Sequence, residues 1–124
     1  MKEIDWSSLS FGYMKTDYNV RCWYRDGAWG EIEVSSEETL NIHIAATCLH
    51  YGQEAFEGLK AYRCPDGKVR VFRMDENAAR LQSTCRGIMM PELPTELFEE
   101  MVAKVVKLNE AYIPPYESGA SLYI

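Results

Sequence analysis

The sequence predicts an α+β domain, a mainly antiparallel sheet with two helices packed on it. Three observations carry that prediction. Asp-Gly and Cys-Pro-Asp-Gly turn chemistry twice separates short β-rich runs. Two apolar stripes of 3.6-residue period follow, divided by Pro91 and Pro94. The composition, 47% hydrophobic and 26% charged over 124 residues, is that of a globular chain with one core.

The elements follow in order. Tyr18–Arg25 is aromatic and β-branched, Asp26-Gly27 supplies a tight turn, and Ala28–Val34 completes a hairpin. Ser35–Glu38 is a polar loop, and the alternation in Leu40–Ile44 suggests a short strand. Ala45–Gly58 is mixed, with Leu49, Tyr51, Ala55 and Phe56 at helix-like spacing. Leu59–Arg63 and Lys68–Phe72 flank Cys64-Pro65-Asp66-Gly67 and read as a second hairpin. Asp75 is placed to cap a helix running to about Met89, with Ala78, Leu81, Cys85 and Ile88 on one stripe. Thr95 opens a second helix to about Tyr112, its stripe formed by Leu97, Phe98, Met101, Val102, Val105, Leu108 and Tyr112, before Pro114-Pro115. Ser121–Ile124 reads as a strand only just begun, which suggests a chain that continues in a longer protein.

Charge and composition exclude several classes of function. The net charge is −6 and no basic stripe is present, which argues against a nucleic-acid partner. No apolar run approaches the roughly 18 residues a membrane helix needs. Residues 1–20 lack the apolar segment of a secretion signal, so the expected compartment is the cytoplasm. Cys22, Cys48, Cys64 and Cys85 are too widely spaced for a zinc site, and they read as reduced, mostly buried thiols. His43 and His50 fit neither a metal helix nor a catalytic triad, so no metal site is expected.

One continuous segment says more: Leu49-His50-Tyr51-Gly52-Gln53-Glu54-Ala55-Phe56-Glu57-Gly58-Leu59-Lys60-Ala61-Tyr62-Arg63. It resembles the N-terminal small domain of the branched-chain amino acid aminotransferases, the fold-type IV enzymes that use pyridoxal 5'-phosphate. Phe72-Arg73-Met74, Asn77, Arg80 and the closing Ser118-Gly119-Ala120-Ser121-Leu122-Tyr123-Ile124 extend the similarity, which runs from about Tyr13 to Ile124. On that resemblance, residues 1–124 are a truncated N-terminal small domain without the larger C-terminal domain.

The resemblance implies roles for particular residues. Arg80 is placed against the cofactor phosphate, a task that suits a planar guanidinium fork. Tyr51 and Phe56 are implied as walls of a substrate pocket for leucine, isoleucine or valine, side chains that offer no polar handle. Tyr123 is implied near the substrate carboxylate, and Gly58 as a point of close backbone approach. Tyr51 is also implied to reach a neighbouring subunit's site, hence a homodimer. The Schiff-base lysine of the family belongs to the larger domain, and Lys2, Lys15, Lys60, Lys68, Lys104 and Lys107 do not replace it. No catalytic residue is therefore expected within the chain, which alone should be inactive and bind the cofactor weakly or not at all. The parent enzyme implied moves an amino group from leucine, isoleucine or valine to 2-oxoglutarate. Alternatives are another fold-type IV reaction, that of a D-amino acid aminotransferase or aminodeoxychorismate lyase, or a free-standing, non-catalytic dimerisation module.

Overall fold

The computed structural model describes residues 3–124. The architecture is α+β, as the sequence predicts. The first hairpin is interrupted. Strands β1 (Asn19–Arg21), β2 (Tyr24–Arg25), β3 (Ala28–Trp29) and β4 (Glu33–Ser35) pair antiparallel as β2 with β3 and β1 with β4. Asp26 (φ 52°) and Gly27 (φ 80°) both adopt the left-handed conformation. This is the type I′ geometry whose twist matches a hairpin. Between the two pairings, Cys22 and Trp23 face Gly30–Ile32, so the returning arm carries one extra residue. That bulge splits each of the two expected long strands.

The second hairpin forms where expected. β5 (Lys60–Arg63) pairs antiparallel with β6 (Val69–Val71) around a turn in which Gly67 takes φ 76°. The final strand, β7 (Leu122–Tyr123), pairs on the opposite edge of β5 and completes a three-stranded sheet in the order β6-β5-β7. The backbones of Leu59 and Ile124 exchange hydrogen bonds of 3.3 and 2.8 Å and extend this pairing by one step.

Among the described residues, three α-helices accompany the sheets: α1 (Thr47–His50), α2 (Met74–Gly87) and α3 (Thr95–Leu108). Leu59, Ala61, Ala78, Phe98, Val102, Val106 and Ile113 form the buried core, so the sheet and the apolar stripes of α2 and α3 share one interior. Val106 belongs to this core although the stripe read from sequence omits it.

Several expectations are corrected. Leu40–Ile44 is not a strand, because no neighbouring edge pairs with it and Leu40, Ile42 and Ile44 stay exposed. Asp75 is not the cap of α2. Arg73 holds that position in the left-handed conformation (φ 47°, ψ 47°). Asp75 lies inside the first turn, where its charge complements the helix dipole and accepts from Arg73 Nε at 3.1 Å. Helix α3 ends at Leu108, and Tyr112 lies in a separate 3₁₀ turn, Glu110–Tyr112. All four thiols are free, but only Cys85 is buried.

Asn109 is the one buried polar residue among those described. Its Oδ1 accepts from the Tyr18 amide at 3.1 Å, and its Nδ2 donates to the Tyr18 and Val105 carbonyls, both at 2.9 Å. The carboxamide thus pairs with Tyr18 as a strand neighbour would, and it fastens the first hairpin to the end of α3. The Tyr112 hydroxyl, 2.8 Å from Asp17 Oδ1, reinforces the same junction.

Candidate functional site

The segment between α1 and β5 positions the candidate site. It has no regular hydrogen-bonded structure, yet burial alternates along it: Gln53, Ala55, Glu57 and Leu59 turn inward while Gly52, Glu54, Phe56 and Gly58 turn outward. The period is that of extended chain, not the helix spacing suggested by Leu49, Tyr51, Ala55 and Phe56. Side chains, rather than a ladder, anchor it to α2. Gln53 Nε2 donates to the Ile88 carbonyl at 2.8 Å. Asn77 Nδ2 donates to Glu57 Oε2 at 2.8 Å and reaches the Gly58 carbonyl at 3.5 Å.

Arg80, three residues after Asn77 and on the same side of α2, meets the same carboxylate. Its Nε donates to Glu57 Oε1 at 2.7 Å and its Nη2 to Glu57 Oε2 at 2.6 Å. The pair is asymmetric in exposure: the Glu57 side chain is 5% exposed, the Arg80 side chain 68%. The Arg80 guanidinium holds the Glu57 carboxyl below the usual carboxylate range, helped by Asn77 and opposed by burial. Glu57 in turn raises Arg80 above its ordinary value. Only the Nε–Nη2 edge of the guanidinium is engaged. The Nη1–Nη2 edge has no partner among the described residues, and it remains a two-donor fork open to solvent. That donor set fits a phosphate.

Next to this pair the chain brings Phe56, Gly58 and Tyr123 together. A Cβ at Gly58 would lie 3.4 Å from the Tyr123 hydroxyl and 3.9 Å from Phe56 Cε2, so the bare backbone sits between the two rings. The pairing of β7 with β5 delivers Tyr123 to this place. Phe11 stands edge-on to the Tyr123 ring, with centroids 6.3 Å apart. Phe56 and Tyr123 are exposed, so these rings are one side of a surface and not the walls of a closed pocket. Tyr51 is not brought to them. It follows α1, it is 84% exposed, and no hydrogen bond or ring contact joins it to the others.

Sequence reasoning missed Glu57 as a member of the candidate site, although it lies inside the segment that carries the resemblance. A glutamate flanked by an aromatic and a glycine reads as a solvated charge. The available signal was the pair Asn77 and Arg80, two donors on one helical face in need of an acceptor. Two open grooves lie elsewhere, one beside Trp23 and Trp29 and one between β6 and α3, and neither includes these residues. Among the described residues no group of His, Cys, Asp and Glu could hold a metal ion, and no helix is long and apolar enough to cross a membrane.

No family model matches the chain. Individual proteins do. Over all 124 residues the chain is 49% identical to a branched-chain-amino-acid aminotransferase of Haemophilus influenzae and 45% identical to one of Helicobacter pylori. It is 43% identical over 125 aligned residues to a protein of the same name from Mycolicibacterium smegmatis. The whole of this chain is covered in each case, but it spans only 36%, 36% and 34% of those proteins. The chain is therefore homologous, from end to end, to about a third of a branched-chain-amino-acid aminotransferase.

Proposed function

We propose that these 124 residues are the small-domain part of a pyridoxal 5'-phosphate-dependent branched-chain aminotransferase, with Arg80 as the phosphate ligand. The observation that carries this reading is the match, covering the whole of this chain at 49% and 45% identity, to two proteins of that name. When bound, pyridoxal 5'-phosphate supplies an aldehyde that takes the amino group and a ring that draws off electrons.

The residues of this chain bind, orient and exclude water. Arg80 offers its open fork to the dianionic phosphate. Phe56 and Tyr123 give the apolar side of a pocket for leucine, isoleucine or valine, and the Tyr123 hydroxyl is a donor for the substrate carboxylate. Gly58 leaves the backbone uncovered between the rings. The lysine that bonds the cofactor lies outside these residues, so the chain alone turns over no substrate. The exposure of Tyr51, Phe56 and Tyr123 supports a surface that is completed by a further domain and a second subunit. Tyr51 then serves a site across a homodimer interface. The amino acceptor is 2-oxoglutarate.

The test is a chimera in which this chain replaces the matching segment of the Haemophilus influenzae relative. Glutamate formation from 2-oxoglutarate with leucine, isoleucine or valine is expected, and Arg80→Ala is expected to raise the pyridoxal 5'-phosphate needed for half-activity by at least about tenfold. A folded but inactive chimera, or an Arg80→Ala chimera with an unchanged cofactor requirement, overturns the reading. The isolated chain serves as the negative control.

A further inference from the structure

We infer that Glu57 is a positioning residue for Arg80: it grips the Nε–Nη2 edge of the guanidinium and so aims the Nη1–Nη2 edge at an anionic phosphate ester. The inference rests on the proposed role of Arg80 as phosphate ligand and goes beyond it, to a residue that touches no ligand itself.

The geometry carries the argument. An arginine can present two paired-donor edges to an oxyanion, a side edge (Nε with Nη2) and an end edge (Nη1 with Nη2). Glu57 takes the side edge with bonds of 2.7 and 2.6 Å. The grip is fixed from behind, because Glu57 is almost wholly buried and its Oε2 also accepts from Asn77 at 2.8 Å. A free arginine side chain on an exposed helix face samples many rotamers, and ordering it costs binding energy. Here two bonds to a buried carboxylate already fix the plane of the guanidinium, so an incoming anion meets a fork that is set. Glu57 also lies on the extended segment with Phe56 and Gly58, so one residue ties the orientation of the anion fork to the placement of the aromatic surface. The negative charge of Glu57 opposes anion binding, but it sits on the far edge of the guanidinium from the open fork. The trade is a weaker net charge for a fixed direction.

Nitrogen-15 and carbon-13 NMR on the 124-residue chain tests this without any enzymatic activity. In the absence of ligand, the Glu57 carboxyl is expected to titrate below the ordinary glutamate value. The Arg80 Nε–H is expected to exchange with solvent at least about tenfold more slowly than in Glu57→Ala. Glu57→Gln, which keeps one acceptor oxygen, is expected to fall between the two. A Glu57 carboxyl that titrates normally, or an Arg80 Nε–H that exchanges as in free arginine, overturns the positioning role and leaves Arg80 free to bind phosphate in another way.

Inorganic phosphate and pyridoxal 5'-phosphate are then titrated into the cofactor-free chimera, labelled within this segment, with pyridoxal as the phosphate-free control. The phosphate-bearing probes are expected to move the Arg80 Nη signals while the Glu57 carboxyl signal stays in place. Movement of the Glu57 signal toward that of an unpaired carboxylate means that the anion displaces it, which overturns the inference but not the phosphate role. An intact Glu57–Arg80 pair with Nη signals that ignore both phosphates overturns the phosphate role itself, and the inference with it.

Discussion

Replacing Asn109 tests whether a single carboxamide joins the first hairpin to the helical core. Asn109→Ala removes three bonds, two to the Tyr18 backbone and one to the Val105 carbonyl. Val105 keeps a partner, since its carbonyl also accepts from the Asn109 backbone amide at 3.1 Å. The loss therefore falls on the Tyr18 amide and carbonyl. Each buried polar group left unpaired costs about 1–3 kcal/mol, and partial exposure of Tyr18 lets water recover some of it. The expected destabilisation is roughly 2–4 kcal/mol, a large share of the about 5–15 kcal/mol that holds a domain together. At about 4 °C per kcal/mol for a chain of this size, the midpoint of thermal unfolding falls by roughly 10 °C. Asn109→Asp keeps the shape but turns the donating nitrogen into an oxygen facing two carbonyls, so it should be worse than alanine at neutral pH. Burial raises the pKa of the introduced carboxyl in the folded state, so its penalty is present above that value and shrinks as pH falls through it. Thermal and urea unfolding followed by tryptophan fluorescence give the energies, and amide exchange at Tyr18 gives the location. An aspartate variant as stable as the parent, or unchanged Tyr18 protection in the alanine variant, refutes the reasoning.

Three further outcomes follow from the structure. Phe98→Ala, in the buried core, should cost roughly 3–5 kcal/mol in urea unfolding. Gly58→Ala should leave the melting temperature within about 2 °C, because the new methyl meets Tyr123 at ordinary contact distance and the backbone is not left-handed; if the site reading holds, the same change lowers the turnover of the chimera. The Asp66 carboxyl is held down to about 2 by Arg70 first and by the Lys68 amide second. Its folded value lies below its ordinary 3.8, so its contribution is complete above about pH 4 and is lost as pH falls through about 2. Carboxyl NMR reads that midpoint directly, and Arg70→Ala should return it toward the ordinary value.

Where local chemistry decides the backbone, the sequence is readable. Asp26-Gly27 and Cys64-Pro65-Asp66-Gly67 form the turns their residues demand, and the two apolar stripes become α2 and α3. Where a partner decides, it is not. Leu40–Ile44 has the alternation of a strand but no edge to pair with. The bulge opposite Cys22 and Trp23 arises from register, which no single arm of a hairpin encodes. Asp75 is an apt cap by type, yet Arg73 takes the left-handed turn out of β6 and moves the cap back by two residues. Asn109 looks like an ordinary polar residue at a helix end, and only the return of Tyr18 from far away in the chain makes it a buried bracket. In the candidate site, the resemblance supplied Arg80, Tyr123, Phe56, Gly58 and Tyr51. The structure gathers Phe56, Gly58 and Tyr123, and it ties Arg80 to them through Glu57, while Tyr51 stays outside the group.

The stretch from Gly52 to Gly58 hangs from α2 by the amide of Gln53 and the carboxylate of Glu57, with no strand or helix of its own to hold it. Its outward positions are thus decoupled from folding. Phe56 and Glu54 can be exchanged for other side chains at little thermodynamic expense so long as those two hooks are kept. A library varied only at the outward positions retains the scaffold, and under the proposed function it redraws the face that meets the substrate.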